Sequence, residues 1–137
     1  MMLASAASKG LPSVLVVEDE GLIREVLALE FEDAGYVTHR AATADKAVAL
    51  LSRGIEVCAV VTDIRMPGQL DGLGLITWLR QHRPRMPIVV LTGRATEADI
   101  NPLNPNIISV IFKPYRPADV VKLVSRLGDH PDLKEDE

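Results

Sequence analysis

The sequence is short of several features, and each shortage excludes a class of protein. It contains a single cysteine, Cys58, so no disulfide can form within the chain. No group of cysteines and histidines has the spacing of a zinc site. No apolar run approaches the roughly 20 residues that cross a bilayer, and the first ten residues lack the long apolar core of a signal peptide. We therefore expect a protein of the cytoplasm that makes no contact with a membrane.

The distribution of charge argues against direct binding to nucleic acid. The 19 acidic residues exceed the 15 basic residues, which gives a net charge of −4. Residues 128–137 hold five acidic residues and one basic residue, so the rest of the chain has 14 of each. A neutral body has no field that attracts a phosphate backbone. Residues 128–137 are predicted to be an acidic tail, and residues 1–12 a flexible N-terminal segment.

The pattern of apolar residues predicts one α/β domain. The chain has 137 residues, of which 47% are apolar, and this suffices for a single core. Short apolar runs predict strands at 13–17, 36–40, 57–62, 87–92 and 107–112. Segments with apolar residues every three or four positions predict helices at 22–34, between Thr43 and Gly54, at 72–82 and at 117–127. Strands that alternate with helices indicate a parallel sheet covered on both faces.

One segment interrupts this alternation. A helix is expected between the fourth and fifth strands, but residues 101–106 read NPLNPN. Each proline removes a backbone donor and disfavours the helical conformation in the asparagine before it. The helix at this place is therefore predicted to be short or missing.

Residues suited to phosphate chemistry lie at the ends of four predicted strands. Glu18 and Asp19 follow the first strand and Asp63 follows the third, while Thr92 ends the fourth and Lys113 follows the fifth. In a parallel sheet these strand ends lie on one edge, where ligands usually bind. Three crowded carboxylates repel one another unless a cation such as Mg²⁺ binds their oxygen atoms. A hydroxyl and an ammonium would bind phosphoryl oxygens, and an aspartate can form an acyl phosphate.

The same segments resemble the receiver domain of two-component response regulators. The resemblance covers residues 13–127 and rests on VVEDE at 16–20, TDIRMPG at 62–68, DG at 71–72, LTG at 91–93 and KPY at 113–115. It implies the flavodoxin-like, CheY-like doubly wound fold with five parallel strands in the order 2-1-3-4-5. It is strongest to the single-domain receivers whose fourth helix, between strands four and five, is degenerate.

The resemblance also implies a role for each site residue. Asp63 would accept a phosphoryl group from a phosphohistidine on a sensor histidine kinase. The Mg²⁺ ligands would be Asp63, Asp19, Glu18 through a water molecule, and the backbone carbonyl of Arg65. Thr92 and Lys113 would bind the phosphoryl group.

Positions beside these residues are interpreted as tuning or switch positions. Arg65 and Arg94 lie two residues after Asp63 and Thr92, where long cations would shield the acyl phosphate from water. The peptide bond before Pro114 is expected to be cis, as is typical of the family.

The usual aromatic switch of receivers has no counterpart here. The position three residues before Lys113 is often aromatic, but in this chain it is Val110. Phe112 is interpreted as a core residue, and Tyr115 as a residue that faces a partner protein.

We expect a phosphoacceptor switch rather than an enzyme, because the family catalyses only its own phosphorylation and dephosphorylation. Its output would be contact with a downstream protein, either as a stand-alone regulator or as the receiver of a hybrid kinase. The main alternative is a receiver fold that binds proteins without phosphorylation. A dehalogenase-type phosphatase would need an aspartate where Arg65 stands. A flavodoxin-like cofactor binder would need a phosphate loop where the acidic run 18–20 stands.

Overall fold

The sheet has the strand order that the sequence predicts. The computed structural model describes residues 11–64, 71–93 and 108–128. In chain order these contain β1 (Ser13–Val17), α1 (Gly21–Asp33), β2 (Val37–Ala41), α2 (Ala44–Ser52), β3 (Ala59–Asp63), α3 (Gly72–His82), β4 (Ile88–Thr92), β5 (Ile108–Phe112) and α4 (Pro117–Gly128). The strands form one parallel sheet in the order β2-β1-β3-β4-β5. This confirms the doubly wound, CheY-like fold.

Three predictions concern parts of the chain outside the described residues. The prolines that predict a short or missing helix lie in the range 94–107, which is not described. Most of the predicted N-terminal segment and of the acidic tail also falls outside, in residues 1–10 and 129–137. Within the described ranges, no helix combines the length and apolar character that crossing a bilayer requires.

Alternate residues of the central strands face two separate apolar layers. The layer beneath α2 and α3 includes Leu15, Val17, Val60, Ile88 and Val90 from the strands, and Leu51, Leu75 and Leu79 from the helices. The layer beneath α1 and α4 includes Val14, Val16, Val61, Val89 and Leu91 from the strands, and Leu27, Phe31 and Val124 from the helices. Because both faces are buried, the strands are continuous apolar runs rather than alternating ones.

The start of α2 and the ends of α1 and α2 have the capping residues that the sequence predicts. The Thr43 hydroxyl accepts a hydrogen bond from the backbone N–H of Lys46 at 3.1 Å, which confirms the predicted cap of α2. Gly35 and Gly54 follow α1 and α2 with φ angles of 99° and 100°. This left-handed conformation suits glycine and ends each helix.

The predicted bounds of β2 and β3 differ from the structure by one or two residues, and β4 and β5 begin one residue later than predicted. Strand β2 begins at Val37, because Tyr36 still closes the turn after α1 through its N–H to the carbonyl of Phe31 at 3.0 Å. Strand β3 begins two residues later than predicted, and it extends to Asp63, which is paired with Leu91 of β4. Asp63 is therefore the last residue of a central strand, not a residue of the following loop.

Candidate functional site

Three carboxylates meet at the carboxyl edge of the sheet. Strands β1 and β3 are neighbours, and their pairing brings Glu18, Asp19 and Asp63 together. One oxygen from each of these side chains lies within 4.8 Å of the others. Asp19 is exposed, Glu18 is fully buried, and Asp63 is only 7% exposed. The cluster offers hard oxygen ligands that could hold a divalent cation.

Glu18 is the least satisfied member of this cluster. Its Oε2 accepts a hydrogen bond from the N–H of Glu20 at 3.1 Å. Its Oε1 is buried and has no hydrogen-bond partner within the described part of the chain. Burial raises the pKa of Glu18 to about 7; the Glu20 N–H opposes this rise, while Asp63 and Asp19 reinforce it. A buried carboxylate oxygen without a partner is costly, and a bound cation would satisfy it.

Asp63 instead has a cation in direct contact. The Lys113 ammonium donates a hydrogen bond to Asp63 Oδ2 at 2.8 Å. Burial alone would lower the pKa of Lys113, but the bond to Asp63 and the charges of Asp63, Glu18 and Glu20 raise it overall. Lys113 therefore stays charged. The Lys113–Pro114 peptide bond is cis, as the resemblance implies.

Of the predicted site residues Thr92, Arg65 and Arg94, the first lies at the carboxyl edge of the sheet and the other two lie outside the described residues. Thr92 ends β4, is buried, and accepts a hydrogen bond at its carbonyl oxygen from the N–H of Lys113 at 2.8 Å. It therefore lies at the same edge as Asp63. Arg65 and Arg94 are outside the described residues, so the carbonyl ligand and the shielding roles stay predictions.

The sequence motif at 71–72 has a structural role that the spacing of residues did not reveal. The N–H of Gly72 donates to the carbonyl of Ile64 at 2.7 Å. A Cβ at Gly72 would overlap the carbonyl oxygen of Asp63 and lie 2.5 Å from the Cα of Ile64. Asp71 caps α3 by accepting the N–H of Gly74 at 2.9 Å. Helix α3 thus starts directly against the end of β3, and only glycine fits there.

An apolar groove runs beside the carboxylates, between α1 and the start of α4. Its volume is about 340 Å³, and its lining includes Leu22, Ile23, Val26, Pro114, Tyr115 and Pro117. Leu22 is 79% exposed, which is unusual for a leucine in a folded domain. Burial raises the pKa of the Tyr115 hydroxyl to about 12, with further contributions from Glu18, Asp63 and Glu20. Tyr115 is therefore neutral at physiological pH.

The aromatic residue of β5 does not belong to the core. Phe112 is 49% exposed, so its interpretation as a core residue is wrong. Strand β5 is an edge of the sheet, and the side chain of its last residue extends toward solvent. Val110 packs against the layer beneath α2 and α3.

A doubly wound parallel sheet with an acidic cluster and an aspartate–lysine pair at its carboxyl edge defines a class of signalling domain. The model of the response regulator receiver domain matches residues 14–125. The chain belongs to this family, whose members act in two-component signalling.

Individual relatives agree with this assignment. The chain is 37% identical over 121 residues to the transcriptional regulatory protein AruR of Pseudomonas aeruginosa, covering 85% of this chain and 49% of AruR. It is 33% identical over 123 residues to an NtrX-like response regulator of Rickettsia conorii, covering 88% and 26%. It thus spans between a quarter and a half of the length of these relatives. A receiver protein from Sinorhizobium medicae has a similar structure, with a TM-score of 0.80 and 28% identity, covering 88% of this chain and 96% of that one.

Proposed function

We propose that this protein is a phosphoacceptor switch in which Asp63 accepts a phosphoryl group from a sensor histidine kinase. The observation that carries the proposal is the arrangement around Asp63. This buried carboxylate lies within 4.8 Å of two others and 2.8 Å from the Lys113 ammonium. The protein would catalyse only its own phosphorylation and dephosphorylation, and it would act in the cytoplasm, as its sequence leads us to expect.

The acidic cluster fits Mg²⁺. All three side chains offer carboxylate oxygens, and the buried Oε1 of Glu18 lacks a partner within the described residues. Glu18, Asp19 and Asp63 would hold the ion, together with water and the predicted carbonyl of Arg65. When bound, Mg²⁺ would neutralise negative charge on the carboxylates and on an incoming phosphoryl group.

The chemistry of transfer follows from the residues around Asp63. A carboxylate oxygen of Asp63 would form a bond to phosphorus as the phosphorus–nitrogen bond of the phosphohistidine breaks. The electron pair of that bond would return to the imidazole. Lys113, which pairs with Asp63 before transfer, would then pair with a phosphoryl oxygen, and the Thr92 hydroxyl would donate to another. Transfer of this kind depends mainly on positioning and charge neutralisation.

The apolar groove supports a protein as the phosphodonor. It begins at Lys113 and Pro114, next to the acceptor, and continues along the exposed side chains of Leu22 and Val26. A helix that carries the reactive histidine would bury this surface during transfer. The downstream partner would likewise be a protein, and the neutral body of the chain argues against direct contact with nucleic acid.

Intact-mass spectrometry tests the proposal. The protein is incubated with acetyl phosphate or phosphoramidate, with and without Mg²⁺, beside Asp63→Asn. We expect a single phosphate adduct that requires Mg²⁺ and is absent from Asp63→Asn. The absence of an adduct with both donors would contradict the proposal and favour a receiver fold that binds proteins without phosphorylation.

A further inference from the structure

Arg24 connects the first turn of α1 to the end of β1. Its Nη1 donates a hydrogen bond to the carbonyl oxygen of Glu18 at 2.8 Å. A Cβ at Gly21 would lie 3.6 Å from Nη2, so the guanidinium crosses over the first residue of the helix. The backbone N–H of Arg24 donates to the carbonyl of Glu20 at 2.9 Å. The side chain therefore spans the whole loop that holds Glu18 and Asp19.

This contact completes the anchoring of Glu18. The N–H of Glu18 donates to the carbonyl of Ala41 at 3.0 Å, and its Oε2 accepts from Glu20. Arg24 satisfies the carbonyl. Among the polar atoms of Glu18, Oε1 is the one without a partner in the described residues.

The carbonyl that Arg24 binds belongs to the peptide between Glu18 and Asp19. Because a peptide is planar, fixing the direction of this oxygen also fixes the N–H of Asp19. The torsions on either side of the peptide then determine where the Asp19 carboxylate points. Arg24 thus restrains the peptide that precedes Asp19, while none of these hydrogen bonds is made to Asp19 itself.

We infer that Arg24 is a positioning residue that aims the Asp19 carboxylate at the metal site through the Glu18–Asp19 peptide. The inference rests on the proposed function, because it concerns the affinity of this site for Mg²⁺. Arg24 is the only basic residue between positions 18 and 33, a stretch that contains seven acidic residues. Although seven carboxylates lie nearby in the sequence, its guanidinium donates to a backbone carbonyl oxygen.

The geometry separates this role from a simple effect of charge. The partner of Arg24 Nη1 is a neutral carbonyl oxygen and not a carboxylate, so the contact is a directional hydrogen bond and not an ion pair. A rigid, planar guanidinium holds a carbonyl in one direction better than a flexible ammonium does. Loss of the hydrogen bond should therefore matter more than loss of the positive charge.

Two substitutions and one matched control test the inference. Arg24→Met removes the donor and the charge but keeps most of the length, and Arg24→Lys keeps the charge with a different donor. Lys122→Met removes one positive charge from an exposed position on α4. For each protein, isothermal titration calorimetry measures the dissociation constant for Mg²⁺, and urea unfolding in EDTA measures stability without metal.

We expect Arg24→Met to weaken Mg²⁺ binding by about tenfold, the lower end of the effect of residues that orient metal ligands. Arg24→Lys should recover only part of the affinity, and Lys122→Met should bind within about twofold of the wild type. All variants should unfold cooperatively in EDTA.

Three results would overturn the inference. Wild-type affinity in Arg24→Met, with or without a lower urea midpoint, would reduce Arg24 to a structural role. Full recovery in Arg24→Lys would show that the planar guanidinium is not what aims the carboxylate, because a flexible ammonium would serve equally well. Absence of Mg²⁺ binding by the wild type would overturn the proposed function as well, so the two failures are distinguishable.

Discussion

Among the described residues, the carboxylates at the ends of β1 and β3 differ in how fully they are paired. Each strand leads to a buried carboxylate, and the next helix of each begins with a glycine. At the β3 junction, Asp63 pairs with Lys113, and Gly72 packs against the strand end too closely for any side chain. At the β1 junction, Glu18 keeps an unpartnered oxygen within the described residues, and Gly21 has open space beyond Arg24.

The N-terminus of α3 is likewise better satisfied than that of α1. Asp71 caps α3, whereas the side chain of Glu20 makes no capping bond to α1 within the described chain. Among the described residues, the proposed phosphoacceptor at the end of β3 is thus paired with a cation in the absence of a metal. The β1 junction contains a destabilising carboxylate that a cation would relieve. The difference suggests a division of work in which β3 supplies the acceptor and β1 supplies the affinity for metal.

The two glycines should show the largest contrast. Gly72→Ala places a Cβ against backbone atoms of Asp63 and Ile64, so α3 must move, and we expect a loss of about 3 kcal/mol or more in unfolding free energy. Gly21→Ala meets only Arg24 Nη2 at 3.6 Å and should be neutral or slightly stabilising. Urea denaturation of both variants measures the contrast. Equal changes in unfolding free energy would contradict the close packing of Gly72 against the end of β3.

Glu18→Gln should stabilise the metal-free protein in a pH-dependent way. Burial raises the pKa of Glu18 from 4.5 to about 7, so the folded state favours the protonated form. The stability that this carboxyl contributes is fully present below pH 4.5 and is lost as the pH rises through 7. In EDTA, the gain from Glu18→Gln should be near zero below pH 4.5 and about 3 kcal/mol at pH 8.

Thermal or urea unfolding from pH 4 to pH 8.5 measures this gain. Glu56→Gln, at an exposed position before β3, is a matched control for the loss of one carboxylate. A gain that does not change with pH would contradict the raised pKa.

Removal of Lys113 should have an intermediate effect. It should strengthen Mg²⁺ binding and slow phosphorylation. Its ammonium competes with a cation for Asp63, so Lys113→Met should bind Mg²⁺ about fivefold more tightly or better. The same variant should be phosphorylated more slowly by acetyl phosphate, because a phosphoryl oxygen loses its cation. Calorimetry and intact-mass time courses measure the two effects, with Lys122→Met as control. Weaker binding of Mg²⁺ would refute the competition.

The helix caps should give the smallest differences. Asp71→Ala should destabilise the protein by about 1 kcal/mol, and Glu20→Ser, which supplies α1 with a capping hydroxyl, should stabilise it by about 0.5 kcal/mol. Thr43→Ala removes a cap distant from the site and should cost about as much as Asp71→Ala. Urea midpoints measure all three. A destabilising Glu20→Ser would show that the start of α1 is already satisfied.

Sequence predicted the strand order through family resemblance, and it predicted the convergence at one edge from the residues that end the strands. It did not show that Glu18 is buried and Asp19 exposed, because the run VVEDE does not reveal which carboxylate turns inward. The contact of Gly72 with Asp63 depends on how α3 packs against the end of β3, and the eight residues between them in the sequence do not indicate it. Phe112 looks like a core residue in a strand pattern, and its exposure follows from the position of β5 at the sheet edge.

The most direct test asks which carboxylate carries the phosphoryl group. After incubation with phosphoramidate and Mg²⁺, borohydride reduces an acyl phosphate to an alcohol, which converts a phosphorylated aspartate to homoserine. Peptide mass spectrometry then locates the product. We predict homoserine at position 63 alone, dependent on Mg²⁺. A reduced residue at position 18 or 19, or no reduced residue at all, would contradict the assignment of the acceptor to β3.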